Sequence, residues 1–306
     1  MALTKEEIEN RLINNDSLFN FIHVIQQNFE IIPDDKLHIG ASIAYQDIKE
    51  LREGFINELY DTIVEWVYSS EKYSELLENE KAKGKSQSVA SSAVQRKAKA
   101  KFRKSDDSEN LLIQGQMGEL LLFHFIQRYM KAIPLLRKMK ITTQKMIERF
   151  GADAIHYKKE NGNNILVLGE AKTYTSKYKF KDAFSDAITS ILVTYNNLHN
   201  ELGLYSHEDF LDEELDIVAE NYLNNTLENP KIELVSIVVY NENKKINFTD
   251  QEDIHRQIDE IIKYRFKNYD NSKIDLDGNP ILKRITYIVF PIWKLDELAK
   301  EFQDLI

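Results

Sequence analysis

Ile165-Leu166-Val167-Leu168 is an unbroken aliphatic run, and one residue beyond it stands Glu170-Ala171-Lys172. The run predicts a buried strand from Asn164 to Leu168. Successive side chains on a strand point to opposite faces, so Glu170 and Lys172 share one face and Ala171 turns to the other. A buried strand has no structural need for a charged pair at its end. Asp153 precedes Glu170 by sixteen intervening residues, and Asn161-Gly162 between them predicts a tight hairpin turn. The hairpin lays the segment around Asp153, Phe150–Tyr157, beside the Glu170 strand.

Two carboxylates on neighbouring strands repel each other, and partial burial adds a desolvation cost that one lysine offsets only in part. A divalent cation removes the conflict. Asp153, Glu170 and Lys172 therefore point to metal-assisted hydrolysis, with acids holding the cation and the lysine steering or activating water. Each residue also has a plainer reading. Asp153 beside Gly151 suits a turn, and Glu170 with Lys172 suits a solvated strand end.

Leu111 to Met130 is apolar nearly all round and predicts a buried helix whose single acid is Glu119. Gly115 and Gly118 would let that helix approach the sheet closely. Glu119 reads either as a further metal or water ligand or as a structural carboxylate capping backbone amides.

Apolar spacing predicts strands at Leu37–Tyr45, Ile232–Tyr240 and Ile285–Phe290. It predicts helices from Ile48 toward Leu77, from Phe180 to Tyr195, from Ile254 to Phe266, and from Trp293 to the C-terminus. The order implies an α/β protein, a mixed sheet flanked by helices, with a mainly helical N-terminal region. Three parts are expected: 1–79, a mainly helical region suited to partner docking; 80–110, a basic linker or arm; and 111–306, the domain carrying the candidate site.

The net charge of −10 argues against a polyanion partner, but its distribution argues otherwise. Between Lys81 and Ser105 stand nine basic residues and no acid. Lys97 and Lys101 in this strip, and Lys177 and Lys179 among the aromatics after Lys172, are candidate phosphate contacts. For the strip, a solvated linker and a DNA-binding arm both fit. For Phe180 a place in the core is expected.

Cysteine is absent, which excludes disulfides and thiolate chemistry. The seven histidines show no metal-ligand spacing; His124 and His156 are expected to be structural. There is no phosphate-binding glycine loop and no nucleophile elbow, so ATP turnover and serine hydrolysis are not expected. No segment has the roughly 20 apolar residues of a membrane span, and a cytoplasmic protein is expected.

The spacing of Asp153, Glu170 and Lys172 resembles the PD-(D/E)xK nuclease superfamily. Gly151-Ala152-Asp153-Ala154-Ile155-His156 and Leu168-Gly169-Glu170-Ala171-Lys172, following the helix of Gly115 to Glu119, are similar to the HamA family of the bacterial Hachiman anti-phage system. The resemblance runs from about Tyr45 to the C-terminus and is strongest from Gln114 to Thr173. Ala152 stands where the superfamily has a proline before its first aspartate. The resemblance implies a restriction-endonuclease-like fold and a Mg²⁺- or Mn²⁺-dependent DNA nuclease controlled by a superfamily-2 helicase of the HamB kind. By transfer, Asp153, Glu170 and the Ala171 carbonyl would bind metal, and Lys172 would position or deprotonate the attacking water. Two further readings stand beside it: a non-catalytic nucleic-acid-binding or assembly subunit on a nuclease-like fold, and an RNA-cutting toxin with the same chemistry.

Overall fold

The structure, a computed structural model, describes residues 3–13, 16–101, 111–136, 152–176, 179–205, 213–247 and 249–306. In chain order its first elements are α1 (Lys5–Arg11), α2 (Asp16–Phe19), β1 (Ile22–Gln27), β2 (His38–Ile43), the short β3 (Tyr45–Gln46) and β4 (Lys49–Glu50). Four helices follow: α3 (Arg52–Asp61), α4 (Ile63–Val67), α5 (Ser70–Ala82) and α6 (Gln87–Lys99). Next come α7 (Leu111–Phe125), continued by one π turn to Met130, then β5 (Ile133–Leu136), β6 (Ala154–Glu160) and β7 (Asn163–Tyr174). The chain closes with α8 (Phe180–Tyr205), α9 (Glu213–Leu223), β8 (Pro230–Glu242), α10 (Gln251–Lys267), β9 (Ile285–Trp293) and α11 (Leu295–Leu305).

Seven strands form one mixed sheet in the order β1-β2-β9-β8-β7-β6-β5. The four central strands, β2, β9, β8 and β7, run parallel, and antiparallel β1 and β6–β5 flank them. Parallel strands joined by helical crossovers are covered on both faces, which demands apolar side chains at both parities. β8 meets that demand. Leu234 and Val238 enter the core beneath α8 and α10, while Val235, Ile237 and Val239 enter the core beneath α3, α7 and α11.

The turn between β6 and β7 is the expected two-residue hairpin, with φ of 50° at Asn161 and 76° at Gly162. Positive φ at both central residues matches the right-handed twist of the flanking strands. It fixes the β6–β7 register from Glu160–Asn163 to Ala154–Gly169.

The helices expected in the N-terminal region are present as α1 to α5, and they adjoin strands of the main sheet. β1 and β2 extend the same sheet through Ile39–Ile288 and Gly40–Val289. The single helix expected from Ile48 toward Leu77 is three helices. One break falls at Thr62; another falls at Ser69, whose hydroxyl accepts the Lys72 amide and starts α5.

The stretch 80–110, expected as a basic linker or arm, is helical over most of what is described. The end of α5 and all of α6 pack together, with Ala90, Ala93, Val94 and Ala98 buried. Small apolar residues at helical spacing make this face, which a search for large hydrophobics passes over. No helix among the described residues is long and apolar enough to cross a membrane.

Candidate active site

β7 runs on through the charged triplet to Tyr174, so Glu170 and Lys172 lie inside a strand rather than at its end. Leu166 and Leu168 share their face and pack beneath α8. Glu170 is buried there at 5% exposure, and Thr194 of α8 reaches its Oε2 at 3.4 Å. Lys172 Nζ donates to Glu170 Oε1 at 2.8 Å and keeps about a quarter of its side chain exposed. The pair thus has one end under the helix and the other toward solvent.

Ala171 turns to the opposite face, against α7. A Cβ added at Gly118 of α7 would sit 3.6 Å from the Ala171 Cβ and 2.4 Å from Thr173 Oγ1. Gly118 therefore sets the expected close approach of α7 to β7. Gly115 does not share in it, since among the described residues nothing lies within 4 Å of a Cβ placed there.

Asp153 stands one residue before β6, where the ladder to β7 has ended. Its Oδ2 accepts the Ala171 N–H at 2.9 Å. The N–H and C=O of one strand residue point to the same lateral side, so the Ala171 carbonyl lies on the edge that Asp153 faces. The β6–β7 register, carried one residue past Ala154–Gly169, sets Asp153 opposite Glu170.

Glu119 is partly buried on α7, in the layer against the other face of the sheet. Among the described residues no group of three or more His, Asp or Glu side chains could hold a metal ion. Among the described residues, the donors around the Ala171 peptide include the Asp153 and Glu170 carboxylates and the Ala171 carbonyl. All are oxygens, as Mg²⁺ and Mn²⁺ prefer, and Mg²⁺ commonly takes one or two carboxylates with the rest of its shell water and phosphate. The donor set fits such a cation.

The sequence profile of the HamA family matches residues 16–306, nearly the whole chain. The chain belongs to the HamA family. No curated protein matches it. Membership supports a component of the Hachiman defence system.

The lysines expected to meet nucleic acid divide in this HamA-family chain. Lys97 of α6 is half-exposed and pairs across to α5. Its Nζ lies 2.6 Å from the buried Glu80, which also binds Lys83 and Lys85 and whose carboxyl these three lysines hold well below the usual range. Lys101 lies 5.2 Å from the Tyr68 ring, and burial lowers its pKa. Lys179 precedes α8 and forms an exposed pair with Asp182 at 3.3 Å. Lys177 lies outside the described residues. Phe180 is buried against Phe184 and Tyr240, as expected.

His156 is buried on the α7 side, 5.6 Å from the Phe123 ring, opposite in facing to Ile155 and Tyr157. His124 is buried as well, and burial pushes its pKa down to about 3.

Sequence reasoning missed two residues of α8. One is Thr194. The other is Glu201, both of whose carboxylate oxygens accept the Ala152 N–H, at 2.9 and 3.1 Å. A signal for both existed. They interrupt the apolar stripe of Ala187, Ile191, Leu198 and Leu202 at helical spacing, where a polar side chain needs a buried partner.

Proposed function

We propose that this chain is the metal-dependent DNA nuclease effector of a Hachiman defence system, hydrolysing phosphodiester bonds under the control of a partner superfamily-2 helicase of the HamB kind. The observation that carries the reading is the Asp153 carboxylate bonded to the amide of Ala171, between Glu170 and Lys172 on one strand. Packing of the strand alone does not call for two acids and a lysine gathered around one peptide.

Asp153, Glu170 and the Ala171 carbonyl would hold Mg²⁺ or Mn²⁺. When bound, the cation supplies Lewis-acid stabilisation of the charge that builds on the phosphate oxygens. Lys172, paired with Glu170, donates toward the attacking water or a phosphate oxygen and orients it. Thr194 keeps the buried oxygen of Glu170 in place. The partly exposed end of Lys172 marks the side from which a phosphodiester enters. Lys177 and Lys179, a few residues beyond β7, would meet the neighbouring phosphates.

A nuclease in this setting needs restraint. β1 is an edge strand of the sheet. It lies in the N-terminal region, where a partner is expected to dock.

The test is incubation of the purified chain with plasmid, linear DNA and RNA, in Mg²⁺ and in EDTA, beside Glu170→Ala and Lys172→Ala. The expected result is DNA cleavage in Mg²⁺ by the wild type only. Binding without cleavage would favour an assembly subunit, and cleavage of RNA alone would favour a toxin. Either result overturns the proposal.

A further inference from the structure

Glu201 lies seven residues along α8 from Thr194, and the same helix therefore reaches both β7 and the segment that leads into β6. Thr194 reaches Glu170 on β7, and Glu201 reaches the chain just ahead of β6. Glu201 is only 6% exposed, between Leu198 at 1% and Leu202 at 0%. An apolar side chain would serve packing at this position better, because burying a carboxylate is costly unless it is hydrogen-bonded. Both of its oxygens are turned on one backbone amide, that of Ala152.

Ala152 is the residue before Asp153. With its amide fixed by Glu201, the chain enters Asp153 in a set direction. The Asp153 carboxylate then meets the Ala171 amide at 2.9 Å. A continuous line of contacts runs from α8 through Ala152 and Asp153 to β7. We infer that Glu201 is a positioning residue: a carboxylate clamp on the start of β6 that holds Asp153 against β7. The consequence for catalysis rests on the nuclease reading above; the clamp itself does not.

The test compares wild type, Glu201→Ala, Glu201→Gln and Glu201→Asp in the full chain. Amide hydrogen exchange is read at Ala152 and Ala171, with the β8–β9 pairing as an internal control, and kcat and KM are read for linear DNA in Mg²⁺. Glu201→Ala should speed exchange at both amides and leave β8–β9 unchanged. It should lower kcat on the order of 10-fold or more, as small misplacements of reacting groups do, with KM unchanged. Glu201→Gln keeps an oxygen that accepts the Ala152 N–H and should recover most of both losses. Glu201→Asp keeps the charge but is one methylene short, and should behave like the alanine variant. It carries the comparison if Glu201→Ala does not fold.

Wild-type exchange and kcat in the alanine and aspartate variants would overturn the inference. So would a glutamine variant as slow as alanine, since that result would make the charge itself the requirement. Faster exchange in a chain whose wild type cuts no DNA would support the clamp and remove the nuclease reading.

Discussion

Asp153 and Ala171 are eighteen residues apart in sequence and joined by one hydrogen bond, carboxylate to amide, at 2.9 Å. The bond ties the residue just ahead of one strand to its neighbour strand, where the ladder between them has stopped. It also puts a carboxylate beside the Glu170–Lys172 pair without placing it in the core.

Asp153→Asn separates the structural and chemical parts of this arrangement. The amide oxygen of Asn still accepts the Ala171 N–H, so thermal unfolding should be nearly unchanged. The lost charge should lower Mg²⁺-dependent cleavage about 100-fold or more, because a metal–carboxylate interaction is a several-kcal/mol term. Calorimetric unfolding and plasmid nicking on the same preparation check this.

The two glycines of α7 should respond in opposite directions. Gly118→Ala drives a Cβ to 2.4 Å from Thr173 Oγ1. Thr173 is β-branched and stiff, so overpacking should cost ~1–3 kcal/mol. Gly115→Ala meets nothing among the described residues and removes a flexible residue from a helix, for a gain of ~0.5–1 kcal/mol. Urea unfolding of the two variants should move the midpoint down and up respectively.

His124 should contribute to acid lability. Burial depresses its folded-state pKa to about 3, and its Nε2 has no hydrogen-bond partner among the described residues. As pH falls below its ordinary value of 6.5, the unfolded chain takes up a proton that the folded chain refuses. Stability is therefore lost as pH falls from 6.5 toward 3, at ~1.4 kcal/mol per pH unit for one such group. His124→Leu should flatten the slope of unfolding free energy against pH by about that amount. An unchanged slope would show that His124 does not limit acid stability.

Lys179 and Lys97 should differ in their effect on DNA binding. Both side chains are about half-exposed, but Lys179 pairs with exposed Asp182 next to the site strand, whereas Lys97 pairs with buried Glu80. Lys179→Ala should reduce the slope of log affinity against log salt by about one, the signature of one lost phosphate contact. Lys97→Ala should leave that slope alone and lower the melting temperature instead, by freeing the α5–α6 hairpin. Fluorescence anisotropy across a salt series, with melts in parallel, tests both.

The sequence by itself determined what is local and periodic. Asn161-Gly162 set the hairpin because both residues tolerate positive φ, and alternation along the strand set Glu170 and Lys172 on one face with Ala171 on the other. The aliphatic runs of β7, β8 and β9 announced a sheet covered on both sides, and the charged triplet marked out the candidate site. Tertiary structure alone decided what depends on partners distant in sequence. The pairing of Ile39 with Ile288, which takes the N-terminal strands into the main sheet, leaves no period to read, since parallel pairing is set by the packing of whole layers. Folding of the Lys81–Lys101 stretch rests on a buried face of small alanines and on Glu80 gathering three lysines. The hold of Thr194 on Glu170 and of Glu201 on Ala152 exists only once α8 is laid across β7 and β8, because a hydrogen bond between residues 24 or 49 positions apart is made by packing and not by any spacing along the chain.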